Sequence, residues 1–187
     1  MAARSSAESA DEKSLAFTLA AVLGLVAIGV AAAIPDARDG LYFANIALAG
    51  ILVGKEVTTR IVITPAARSL SVPEEVKLQQ ALGPPFRNLG PVVFNLVLFT
   101  GIALAATVPT PGRWLEIAGS VCIVVMLFFV FKISVPINIW TGKQTGAVDP
   151  DEWYAQRRRW DSIQLVRLAL DGLALACFIL ALLVNTT

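Results

Sequence analysis

The sequence predicts an all-α protein: an integral membrane bundle of about five transmembrane helices, N-terminus cytosolic and C-terminus outside. Three observations carry this expectation. Apolar residues are gathered in blocks of about twenty, the length a helix needs to cross a hydrocarbon core. The chain is 56 % hydrophobic and 16 % charged, with mean hydropathy +0.70, whereas soluble domains run nearer about a quarter charged. Lysine and arginine crowd into alternate connections between the blocks. A β-barrel would instead need short dyad-alternating segments, and none is present.

Residues 1–13 (MAARSSAESADEK) are small, polar and mixed in charge, the composition of a flexible tail. They make a poor signal peptide, because Glu8, Asp11 and Glu12 precede the apolar run. Residues 14–187 read as one transmembrane bundle. The first span, about 14–34, is uncharged up to its end and rich in small residues that suit close helix contact. The turn PDARDG is short, so the second span, about 41–63, must return beside the first. Its second half carries Lys55, Glu56 and Arg60, and Pro65 is expected to close it. Gly50 and Gly54 form a GxxxG spacing, a weak packing signal.

The long connection 66–90 has a helix start at Ser71, with Glu74 three residues on as in a capping box. The expected short amphipathic helix ends at Gly83-Pro84-Pro85. The third span is about 90–108, with Pro91 in its first turn and Asn95 inside. The fourth is about 114–138, bracketed by Trp114 and Trp140 as interfacial anchors, with Pro136 expected to end or kink it. Residues 142–150 read as a loop. A helix starting near Asp151 carries Trp153, Tyr154, Arg157, Arg158, Arg159 and Trp160, and runs without a breaker into the fifth span, about 163–184.

With five spans, the tail, the 66–90 connection and the 139–162 connection share one side. They hold nine cations: Arg4, Lys13, Arg68, Lys77, Arg87, Lys143, Arg157, Arg158 and Arg159. The other side holds Arg38 and Arg113. The positive-inside rule assigns the nine to the cytosol. The triple arginine reads first as a topology determinant and an anionic-lipid contact, and Trp153 and Trp160 as interfacial belt residues.

That orientation gathers polar residues at similar depth near the cytosolic ends of spans two, four and five. The candidate polar pocket comprises Glu56, Arg60, Lys132, Asn138, Gln164, Arg167 and Asp171. Trp160, Gln164, Arg167 and Asp171 recur at helical spacing and form one stripe, which should face the bundle interior. In the functional reading, Glu56 or Asp171 accepts a proton or contacts an ion. A cation among Arg60, Lys132 and Arg167 holds an anionic or enolate-like oxygen. Trp160 and Tyr154 then pack a flat ligand. The competing reading is structural: Glu56 with Arg60 and Arg167 with Asp171 as i,i+4 ion pairs, beside snorkelling lysines.

Composition excludes several classes. Net charge is +1, which offers no electrostatic case for nucleic acid. The absence of histidine removes histidine-ligated haem, the usual zinc sites and any histidine base. Cys122 and Cys177 sit in apolar runs and read as small hydrophobes. No cofactor and no metal are expected.

Pro136-Ile-Asn138, Trp153, Arg157, Arg159-Trp160 and Arg167 before an apolar span resemble the anthrone-oxygenase-like membrane family. Gly54-Lys-Glu56 with the later Pro65-Ala is similar to that family's opening helix. The resemblance implies a compact helical bundle in a bacterial inner (plasma) membrane, multi-pass. Most members are of unknown function. The few enzymatic ones imply cofactor-independent oxygenation of an anthrone, in which a base forms a carbanion that meets oxygen. The matching polar positions are Glu56, Asn138 and Arg167. Where members often carry histidine this chain has Gln164, and an amide is no general base near neutral pH. Two broader classes stand beside that enzyme. One is a binder of a small hydrophobic or aromatic molecule. The other is an accessory or structural subunit, paired with a membrane protein partner or with itself. Membrane lipids are expected partners of either.

Overall fold

The computed structural model describes residues 37–145 and 148–186, together with 22–24, 26, 29 and 34. The tail 1–13 and most of the predicted first span therefore lie outside the described residues. Within them the chain is helical, with no strand. Helix α1 (Ala37–Thr58) passes through a π-helical turn (Thr59–Ile63) into the short α2 (Thr64–Arg68). Helix α3 covers Val72–Thr107. Helix α4 (Gly112–Phe129) passes through a second π-helical turn (Val130–Ser134) into α5 (Val135–Gly142). Helix α6 covers Pro150–Thr186.

Three units are long and apolar enough to cross a membrane: α3, the run Gly112–Gly142 and α6. The expected second span is not among them. It forms a helix over the expected residues, but Asn45, Lys55, Glu56 and Arg60 punctuate its length, and each lowers the apolar content of any membrane-length window that includes it.

Both π turns sit just ahead of a proline. Pro65 and Pro136 have no N–H to give the carbonyl four residues back. A π turn shifts the bonding to i+5, as Thr64 N–H to Thr59 and Val135 N–H to Val130 illustrate. The helix axis thereby survives a residue expected to end it, and helical structure continues past Pro136 to Gly142.

The start of α3 follows the expected capping box: the Glu74 carboxylate accepts from the Ser71 N–H at 3.0 Å and from its hydroxyl at 2.5 Å. The expected break at Gly83-Pro84-Pro85 does not occur, and one helix runs through Pro84, Pro85 and Pro91. The carbonyls deprived of a proline N–H are those of Gln80, Ala81 and Arg87, and these residues are half-buried, exposed and exposed. They are thus not sealed in a dry core, which is where such a loss costs most.

The helices α1, α3, α4 and α6 form a four-cornered ring: α6 packs on α4 and α1, and α3 packs on those same two. The principal core joins Leu52 of α1, Phe94 and Val97 of α3, Ile123 and Met126 of α4, and Phe178 of α6. Small residues seat the largest ring. A Cβ on Gly119 would overlap Phe178, and one on Gly101 would lie 2.7 Å from the Ser120 hydroxyl and 3.3 Å from Phe178. Close van der Waals packing is what holds helices together where lipid supplies no hydrophobic driving force. Among the described residues, nothing lies within 4 Å of a Cβ placed on Gly50 or Gly54 of the α1 GxxxG. Gly24, in the first apolar run, does press against Phe99 of α3.

Candidate functional site

The inward face of α1 runs through Asn45, Ala49, Leu52 and Glu56, at spacings of four and three. It delivers one carboxylate, 1 % exposed, to the polar end of the core. From α6, Gln164, Arg167 and Asp171 arrive on one buried stripe, as their spacing predicts. From the second π turn, Ser134 arrives at 1 % exposure.

These side chains meet. Arg167 forms an ion pair with Glu56 through Nη2, and its Nη1 lies 3.5 Å from Ser134 Oγ. Lys55 Nζ lies 2.6 Å from the same Glu56 oxygen and 5.0 Å from the Phe94 ring centroid. Gln164 Nε2 approaches the Glu56 backbone carbonyl at 3.5 Å. Asp171 lies within electrostatic range of Glu56, Lys55 and Arg167, yet among the described residues neither of its buried oxygens has a hydrogen-bond donor. Arg167 Nε and Gln164 Oε1 are also unpartnered. Two carboxylates and two cations thus share one site. The site is electrically balanced but incomplete in hydrogen bonds, a state that costs free energy in a low-dielectric interior.

The expected intrahelical ion pairs do not form. Glu56 pairs with Arg167 across helices and not with Arg60, and Arg167 pairs with Glu56 and not with Asp171. A cross-helix partner at the bundle centre replaces an exposed i,i+4 neighbour because Glu56 faces inward, while Arg60 sits half-buried in the π turn. Lys132 and Asn138 are exposed and stand outside the cluster. Lys132 is two residues from inward-facing Ser134, about 200° around a helix. Beyond the π turn the inward face passes through Ser134, Ile137 and Thr141, so Asn138 falls just off it. Of the three positions matched to the resembled family, Glu56 and Arg167 come together and Asn138 does not.

A second polar network ties the charged ends of α3, α5 and α6. Trp153 is fully buried, stacks on Trp140 with ring centroids 5.7 Å apart, and donates from its indole N–H to Glu75 at 2.8 Å. Arg157 lies 3.6 Å from Glu75 and spreads over the Trp160 ring, 4.5 Å from its centroid. Arg68 pairs with Asp161. Gln80 donates to the carbonyls of Thr141 and Gln144 at 3.0 and 2.9 Å. Trp153 is therefore a packing residue of the helix junction, and Trp140, half-buried, stacks on it. Arg157 turns inward, whereas Arg158 and Arg159 stay exposed. Tyr154 is 42 % exposed.

Several buried polar residues carried no signal the sequence reading used. Glu116 is fully buried in α4 with neither oxygen partnered. Asn45 accepts from Thr100 at 3.1 Å. Glu75 and Asp161 anchor the second network. A lone carboxylate inside an apolar run, as Glu116 is, was the available cue. Among the described residues, no group of three or more acidic, cysteine or histidine side chains forms a metal site. No family model, curated protein or solved structure matches the chain.

Proposed function

We propose that the protein is a multi-span membrane protein that binds a small hydrophobic ligand bearing a polar group, at the cluster between α1, α6 and the second π turn. Asp171 carries this reading. It is a carboxylate at 1 % exposure with no donor to either oxygen among the described residues. A ligand hydroxyl or N–H would supply that donor, and Lys55 and Arg167 would compensate a charge developing on the bound group. An apolar cleft of about 50 Å³ between α1 and α3, lined by Ile51, Leu52, Lys55, Phe86 and Val93, offers a start for the ligand's body. On this reading α1 and α3 part to admit it. The resemblance to the anthrone-oxygenase-like family belongs to the same proposal, because Glu56 and Arg167 are two of its three matched positions.

The proposed topology has five crossings, with the N-terminus cytosolic and the C-terminus outside. Helix α1 with its π turn is about 40 Å long, enough to cross a hydrocarbon core of roughly 30 Å. The lysine and arginine distribution supports the orientation. A bacterial inner membrane is the proposed location.

The test is purification in mild detergent followed by mass spectrometry of everything that co-purifies. A small apolar molecule retained by the wild type and lost from Glu56→Gln, Arg167→Ala and Asp171→Asn supports the proposal. Unchanged retention in all three variants overturns it. So does material that is ligand-free yet always bound to the same protein partner, which would make the chain an accessory subunit.

A further inference from the structure

We infer that the arginine-lined cavity between α2, the first π turn and α6 is a seat for the phosphate of an anionic phospholipid. The cavity is about 270 Å³ and open to one side, and its lining is Arg60, Arg68, Arg158, Asp161, Ser162 and Leu165. It is separate from the Glu56 cluster and shares none of that cluster's charged residues.

Charge comes first. Arg68 is taken up by Asp161, whose carboxylate is the cavity's one negative group. Among the described residues, Arg60 and Arg158 form no ion pair. Two guanidinium groups without a described counter-charge therefore line one space, and guanidinium is the side chain best matched to phosphate oxygens. The Arg68–Asp161 pair forms part of the same lining. The Ser162 hydroxyl, also in the lining, donates to the Arg158 carbonyl at 3.0 Å, so its proton is already engaged.

Position distinguishes a lipid from a free anion. The cavity lies where the polar start of α6 meets its apolar run. Leu165, in its lining, is 48 % exposed, and Val166 beside it is 39 % exposed. On the opposite wall, Arg60 is followed by Ile61 and Val62, at 65 % and 58 % exposure. Two strips of uncovered aliphatic surface thus lead away from the arginines, the pairing that a headgroup and its acyl chains require. A soluble phosphate would have no use for them.

The experiment is native mass spectrometry of the full chain in mild detergent, titrated with phosphatidylglycerol, phosphatidylcholine or inorganic phosphate. The wild type should bind phosphatidylglycerol in preference to phosphatidylcholine, with an affinity that falls as salt rises. The double variant Arg60→Gln/Arg158→Gln should bind phosphatidylglycerol about thirty-fold more weakly, roughly five-fold for each arginine. The control Arg159→Gln, which lies outside the cavity lining, should change it less than about two-fold. Equal binding of the two lipids by the wild type overturns the inference without reference to any variant. So does a double variant that binds as the wild type does. Inorganic phosphate binding that matches phosphatidylglycerol in the wild type and disappears in the double variant assigns the cavity to a soluble anion, and overturns the lipid.

Discussion

Arg167 holds Glu56 from 111 positions away along the chain, and the two together neutralise what neither could bury alone. Truncating Arg167 to alanine leaves Glu56 with Lys55 as its sole cation and removes the donor to Ser134. Loss of one partner of a buried pair costs roughly 3–5 kcal/mol. Arg167→Ala is therefore expected to lower the thermal unfolding midpoint in detergent sharply, and an unchanged midpoint would mean that the pair is solvated. Glu116 should behave in the opposite sense. It is buried with no donor from the described residues to either oxygen, so Glu116→Gln replaces a carboxyl group that nothing bonds and keeps its shape. It is expected to hold or raise the midpoint. A loss as large as that of Arg167→Ala would reveal a partner for the carboxylate. The stripe Gln164, Arg167, Asp171 was legible in the sequence because helical spacing alone places it on one face. The choice of partner was not, since it depends on which residue of α1 packs opposite.

At the level of elements, proline governs two different outcomes. Pro65 and Pro136 are each preceded by a π turn, and Ser134 reaches Arg167 from the second of them. Replacing Pro136 by alanine restores an N–H and lets that turn return to α-helical bonding. Slower hydrogen exchange across residues 130–137 is the expected result, together with a weaker hold on any ligand at the Arg167 cluster. Pro84 and Pro85 do not end α3. Sequence punctuation located all of these prolines but not their effect: the carbonyls they free lie four residues back, at Ile61, Gln80, Ala81 and Lys132, and none of those residues is buried, so burial does not sort the two outcomes. The cap of α3 was fully legible. Its Glu74, exposed at the polar start of the helix, is held below its ordinary pKa by the hydrogen bonds from Ser71. A depressed folded-state pKa means that the cap contributes above the ordinary glutamate range and is lost as pH falls through the lower folded value. Helicity at the start of α3 should drop on acidification in the wild type, and Glu74→Gln should flatten that dependence in amide exchange measured against pH.

For the molecule as a whole, the four-cornered ring has one polar end and one apolar middle, and the proposed topology follows from where the cations lie. With Cys122 and Cys177 replaced by alanine, Ser71→Cys and Arg113→Cys should react with a membrane-impermeant maleimide from opposite sides. Labelling of both from one side would cancel the orientation. Membrane character and the helical class were legible because they rest on apolar block length, a property of composition. The second network was not legible, because Glu75 lies 78 positions from Trp153, and Trp153 and Arg157 each had a sufficient reading as a residue of the membrane interface.

That network also gives the protein its own optical probe. Trp140 and Trp153 lie 5.7 Å apart at 29°, close enough for their indole transitions to couple, and the chain has two other tryptophans. Trp140 belongs to α5 and Trp153 to α6, so the coupled signal exists only while those helices are docked. Near-ultraviolet circular dichroism of the unlabelled protein should report their separation directly, and Trp140→Phe should abolish that component while leaving the far-ultraviolet spectrum in place.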